Sequence, residues 1–199
     1  MSAAVRVLQV CTGRAQPMAI EGREVLSAIG KTPVDGPVAV RMLGLAGDEQ
    51  ADLAVHGGLS KAVYAYASEH APFWQTVRAQ ARVAEWGAAL PPGLFGENLL
   101  LQGLLEEHLW VGDRLIVHSA RRGASCVLAV SEPRMPCFKF NAALGFNQAA
   151  KMMVQSGFCG SYLAVVEPGT VAADDEIELL PGPREVSIRE LFRSRARGR

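Results

Sequence analysis

Short apolar runs, each closed by glycine or proline, set the strongest limit on what this chain can fold into. Residues 5–10 alternate like a strand and stop at Thr12-Gly13, and residues 24–29 and 38–43 flank turn chemistry at Pro33, Asp35, Gly36 and Pro37. Residues 62–67 alternate around Val63 and two tyrosines, and residues 99–101 follow the break Pro91-Pro92-Gly93. Residues 110–119 read as a strand pair around Gly112-Asp113, and residues 126–131 as a strand stopped by Pro133 and Pro136. Residues 162–166 and 177–180 complete the set, with Pro168-Gly169 as a turn between them. Helical patterns are few. One is capped by Ser68, with Phe73, Trp74 and Val77 on its apolar face; another spans 147–155 and closes at Gly157. A third, from residue 186, places Ile188, Leu191 and Phe192 on one face. The pattern predicts a mainly β fold with peripheral helices (α+β), a barrel or folded sheet.

At 199 residues the chain has room for one sizeable core, and no linker divides it before about residue 183. The expected organisation is one domain over 1–183 and a basic, partly helical tail over 184–199. That tail holds six Arg against two Glu, a net +4 that leaves −4 on the rest of a neutral chain. We read it as a frayed, solvated end. No basic patch with interleaved aromatics supports nucleic acid as a substrate. No apolar run approaches the ~20 residues of a membrane span, and the first residues lack a basic start and apolar block. A cytoplasmic protein with no membrane partner is expected. Cysteines stand at 11, 126, 137 and 159, without a Cys-x-x-Cys pair or a neighbouring His at zinc spacing, so thiols are expected rather than a zinc site or bridges.

Three stretches carry chemistry. In Gly47-Asp48-Glu49-Gln50-Ala51-Asp52-Leu53-Ala54-Val55-His56-Gly57-Gly58, polar side chains lead into a glycine pair whose N–H groups suit an anion. His56 either donates to a bound oxyanion or caps an acidic surface turn. In Phe95-Gly96-Glu97-Asn98-Leu99, Asn98 either braces the backbone or presents its amide to a ligand. In Pro133-Arg134-Met135-Pro136-Cys137-Phe138-Lys139, two prolines fix the chain around a cysteine. Arg134 and Lys139 place positive charge near its sulfur and favour thiolate, which is both a nucleophile and a soft metal ligand. The competing reading is an inert buried Cys. Cys126 sits in an apolar strand and reads as core, whereas Cys159 lies in the loop Gly157-Phe158-Cys159-Gly160.

Together, and in this order, these stretches resemble the MOSC family, named for the C-terminal domain of molybdenum cofactor sulfurase. The likeness spans roughly residues 5 to 182 and is strongest to the stand-alone bacterial branch that includes the N-hydroxylaminopurine reductase. Smaller echoes are Trp74, Val111-Gly112-Asp113 and the loop around Cys159. The resemblance implies a β-barrel of the kind seen in the pyruvate kinase barrel domain. It implies a molybdenum-dependent oxidoreductase that reduces N-hydroxylated small molecules, with Cys137 as metal ligand and catalytic residue. By residue type, His56, Gly57, Gly58, Lys61, Asn98, Arg134 and Lys139 would hold the molybdenum cofactor (Mo-pterin). Electrons would come from an external donor protein, because the sequence has neither an iron–sulfur cysteine cluster nor a dinucleotide glycine motif. Two alternatives share Cys137: a sulfur carrier or transferase using a persulfide, and a non-catalytic cofactor carrier. The chain departs from the pattern where Leu59-Ser60-Lys61 replaces a Pro-Asp-Arg/Lys run, with Lys61 keeping the charge. It also carries only the start of the three-helix extension found in longer members.

Overall fold

The computed structural model describes residues 5–51, 57–119 and 125–198. In chain order the strands are β1 (Val5–Thr12), β2 (Gln16–Ile20), β3 (Arg23–Ser27), β4 (Thr32–Pro33), β5 (Val38–Arg41), β6 (Gly44–Leu45) and β7 (Val63–Ala67). There follow β8 (Leu99–Gln102), β9 (Arg114–His118), β10 (Ser125–Pro133), β11 (Ser161–Glu167), β12 (Gly169–Val171) and β13 (Glu176–Leu180). The helices are α1 (Ala71–Gln80), α2 (Phe138–Leu144), α3 (Ala149–Ser156) and α4 (Ile188–Arg197).

Seven strands run β13-β9-β10-β11-β7-β8-β1, and the pairing of Val5 with Ile177 closes them into a barrel. Closure removes the open edges that a sheet of this size would otherwise expose. β4 extends from β1, β12-β5-β6 form a small second sheet, and β2 and β3 make a separate hairpin. The residues that pack the interior follow the strand alternation where it is regular and the bulges where it is not. In β1 the register against β8 shifts between Val7 and Gln9, which lets Val7 and Val10 both reach zero exposure although they are three positions apart. Val7 and Val10 join Leu99, Leu115, Val117, Leu128 and Leu163 in one continuous core.

β7 and β8 pair in parallel, Ala65 opposite Leu99. A parallel pair needs a crossover, and the intervening chain supplies it with α1. β7 is buried at every residue, because α1 and its neighbours cover its outer face. Trp74 of α1 is fully buried, donates from Nε1 to the Tyr66 hydroxyl at 2.6 Å, and meets Phe140 of α2 edge-on. Burying aromatic area of this size contributes a few kcal/mol per side chain. This aromatic layer fixes α2, and with it Cys137, against the barrel.

Three local expectations change. The helix expected from Ser68 begins at Ala71, after a single tight turn over Ser68–His70. Residues 110–119 do not form a strand pair. Only β9 pairs within the barrel, while Trp110 bridges to Ser187. The buried Asp113 accepts from Trp110 N at 3.1 Å and Gly182 N at 2.7 Å, so this turn anchors the approach to the C-terminal helix. The tail is not a frayed end. α4 starts at a capping box between Ser187 and Glu190 and buries Ile188 and Phe192 in the core, which outweighs the fraying expected of a short terminal helix.

Candidate functional site

One cleft gathers most of the residues singled out by sequence. It measures about 640 Å³ counting the solvent at its mouth, and is lined by Lys61, Asn98, Arg134, Cys137 and Lys139. Lys31, Asp48, Glu49, Gln50, Tyr64 and Tyr162 are also among the lining residues. Gly58 stands back from it, with φ of 90° and its N–H donated to Gln50 Oε1 at 2.8 Å. Gly57 is half-buried and does not line the cleft either. His56 lies outside the described residues.

The three sequence stretches converge through the barrel. β10 ends at Pro133, the chain passes through Pro136, and Cys137 precedes α2 in extended conformation, with φ −131° and ψ 178°. Its carbonyl accepts Phe140 N at 3.0 Å, so the sulfur is carried on a backbone fixed on both sides. Cys137 is partly exposed, whereas Cys11, Cys126 and Cys159 are buried, and all four are thiols. Burial pushes the Cys11 and Cys126 thiols up to about 12, and that of Cys159 well above its ordinary value. Those three are inert by environment.

Arg134 is the electrostatic centre of the cleft. The residue is 6% exposed, and its guanidinium lies 4.6 Å from the Phe140 ring centroid and 5.3 Å from that of Tyr64. Its charge acts on Cys137 and Tyr162. Nη1 is buried and has no hydrogen-bond partner among the described residues. An unsatisfied buried donor of this kind costs about 1–3 kcal/mol, more when charged, so it marks a place for an acceptor.

Asn98 is committed to the protein itself. Its Oδ1 accepts Tyr64 N at 3.0 Å, and its Nδ2 donates to Cys11 O at 3.2 Å and Asp48 Oδ2 at 2.9 Å. It therefore ties β7, β1 and the Asp48 loop together at the floor of the cleft. Asp48 also accepts Gly13 N at 2.8 Å and pairs with Lys31, a cleft cation that the sequence reading did not select. Lys139 reaches sideways, donating to Leu26 O at 2.9 Å and so joining α2 to the β2–β3 hairpin. Lys61 lies 5.9 Å from the Tyr162 ring centroid and 4.0 Å from Glu132 Oε1. Tyr64 and Tyr162 carry no mark in the sequence beyond their strand positions, because alternation along β7 and β11 does not show that both face one cavity.

The neighbouring Glu97 is 1% exposed and accepts Gly93 N at 2.6 Å and Phe95 N at 3.0 Å. Burial raises its pKa to about 7, against the lowering pull of those backbone donors and of Arg134. Among the described residues no three His, Cys, Asp or Glu side chains converge as a metal site. None of the described helices is long and apolar enough to cross a membrane.

With this geometry in place, comparison with known proteins defines the class. The MOSC domain model matches residues 52–178, and the chain belongs to that family. Protein YiiM of Escherichia coli is 37% identical over 183 residues, covering 92% of this chain and 75% of that protein. A Gibberella moniliformis protein named reductase is 35% identical over 184 residues, but the match takes in only 29% of its length. The crystal structure of YiiM from Geobacillus stearothermophilus superposes with a TM-score of 0.74 at 28% identity, covering 98% of this chain and 85% of that one. The barrel expected from sequence is thus the MOSC barrel.

Proposed function

We propose that the cleft binds a molybdenum cofactor through Cys137 and that the protein reduces N-hydroxylated small molecules. The observation that carries this reading is the buried Nη1 of Arg134, without a hydrogen-bond partner among the described residues, in the same cleft as the partly exposed Cys137. A phosphate or other oxyanion on the ligand would satisfy that donor. Lys61 and Lys139 add positive charge along the wall, where Lys31 is paired with Asp48, and Tyr64 and Tyr162 offer aromatic faces to a heterocycle. The donor set fits such a ligand for a further reason. Cys137 is a soft thiol donor on the cleft wall, the kind of single protein ligand that suits a metal carried by an organic cofactor.

When bound, the cofactor would supply the two-electron redox chemistry. The overall reaction breaks an N–O bond, takes up two electrons and two protons, and releases the amine and water. Cys137 would anchor the metal and Arg134 the anionic group. Asn98 would hold the Asp48 loop and β7 in the shape that admits them. Electrons would come from an external donor protein, and a cytoplasmic setting suits a site that depends on a reduced thiol.

The test is molybdenum and pterin content after expression in a cofactor-producing host, for the native chain and for Cys137→Ser. Near-stoichiometric metal that vanishes in the variant, with an unchanged far-UV spectrum, is the expected result. Little metal in either protein would refute this reading. A sulfane-sulfur assay on Cys137 would then test the persulfide alternative.

A further inference from the structure

We infer that the C-terminal helix α4 positions the cleft cation Lys61, by holding back its counter-ion Glu132 through Arg195. The inference rests on the proposed role of Lys61 in anion binding. Glu132 lies on β10, and its two oxygens face different ways. Oε2 accepts Arg195 Nη1 at 2.5 Å, while Oε1 stands 4.0 Å from Lys61 Nζ and 3.4 Å from Ser60 Oγ. The carboxylate thus sits between one cation on the helix and another in the cleft wall, and its closer partner is the helix arginine. Glu132 is well shielded, its side chain 18% exposed, and Lys61 is comparable at 22%, so the competition is not fully screened by solvent.

Arg195 is itself delivered to Glu132 by a docked helix. Ile188 and Phe192 are buried, the Ser187–Glu190 box caps the first turn, and Arg189 Nη1 holds Glu107 Oε2 at 2.5 Å. Nearby, Ser131 Oγ lies 2.5 Å from Ser60 O and 2.9 Å from Tyr162 O, which fixes the backbone before Lys61 against β10 and β11. The Glu132 charge acts on the Lys61 ammonium from 4.0 Å, so its pull depends on where Arg195 draws the carboxylate. Without Arg195, Glu132 closes on Lys61 and draws its charge away from an incoming anion. Arg195 is therefore a positioning residue that touches no ligand, and its effect is undone by removing the Glu132 charge, which simple loss of helix packing would not reproduce.

The test measures pyrophosphate binding to the cofactor-free protein by calorimetry at low salt. The proteins are the native chain, Lys61→Ala, Arg195→Gln, Arg195→Gln/Glu132→Gln and Lys61→Ala/Arg195→Gln, each checked for an unchanged thermal midpoint. Arg195→Gln weakens binding by roughly threefold to fivefold, the range of a partly exposed ion pair. Adding Glu132→Gln restores native affinity, and Arg195→Gln has no further effect once Lys61 is alanine. Weaker binding that Glu132→Gln fails to restore would overturn the inference. So would native binding in Arg195→Gln beside a weakened Lys61→Ala. Native binding in Lys61→Ala would instead remove the assignment of Lys61 to anion binding, and the inference with it.

Discussion

Replacing Glu97 by Gln should change the pH dependence of stability in a way that can be calculated. The Glu97 carboxyl is almost wholly buried and its pKa lies near 7, against an ordinary 4.5. Between those values the folded chain keeps a proton that the unfolded chain has released. Unfolding then releases a proton, so the contribution is present at low pH and is lost as the pH rises through about 7. At 1.36 kcal/mol per pKa unit, the loss between pH 5 and pH 8 is about 2 to 3 kcal/mol. Gln does not titrate, so it removes this slope. Its amide also sets an NH₂ group against one of the two backbone donors, Gly93 N or Phe95 N, at a cost of about 1–3 kcal/mol. The variant should thus be clearly less stable than the native chain at pH 5 and close to it, or above it, at pH 8. Urea unfolding of both proteins across this range measures the difference directly. A stability difference that stays constant from pH 5 to pH 8 would show that Glu97 is ionised throughout and refute the reasoning.

Three further outcomes follow from the same contacts. Asn98→Ala leaves the Tyr64 N–H without its side-chain acceptor and frees the Asp48 loop, and should cost about 2–4 kcal/mol in denaturant unfolding; a loss under about 1 kcal/mol would argue against the bracing role. A chromogenic disulfide reagent should label one thiol rapidly in the native protein, none in Cys137→Ser, and the remaining thiols only after denaturation, because the other three are buried. Phe192→Ala should lower stability by about 3–5 kcal/mol through the cavity it leaves under α4, read as the shift in unfolding midpoint with denaturant.

Much of the fold can be read in the strand and turn pattern, because those signals are local. Seven expected strands correspond to β1, β3, β5, β7, β8, β11 and β13, and the stretch around Cys126 to β10. α2 escaped notice because Phe138–Leu144 is short and follows two prolines, and its capping residue is Cys137 rather than Ser, Thr, Asp or Asn. β2, β6 and β12 escaped notice because they are short or carry weak strand residues, and are held by partners rather than by propensity.

The sequence by itself determined the class of fold and the family, and singled out Cys137 as the candidate centre of the chemistry. Each depends on residue type and short spacing: turn residues between apolar runs, three motifs in order, and prolines that fix the chain around Cys137. Only the tertiary structure decided what those residues face. Closure of the barrel joins Val5 to Ile177, and the bulge in β1 chooses which valines turn inward. Asn98, for which the sequence favours bracing over binding, has its amide bonded to β1, β7 and Asp48. Lys31 enters the cleft, and the basic tail becomes a helix whose Arg195 reaches Glu132. These pairings join residues far apart in the chain, and they are set by strand register and helix docking, which the energy of the whole packed core selects.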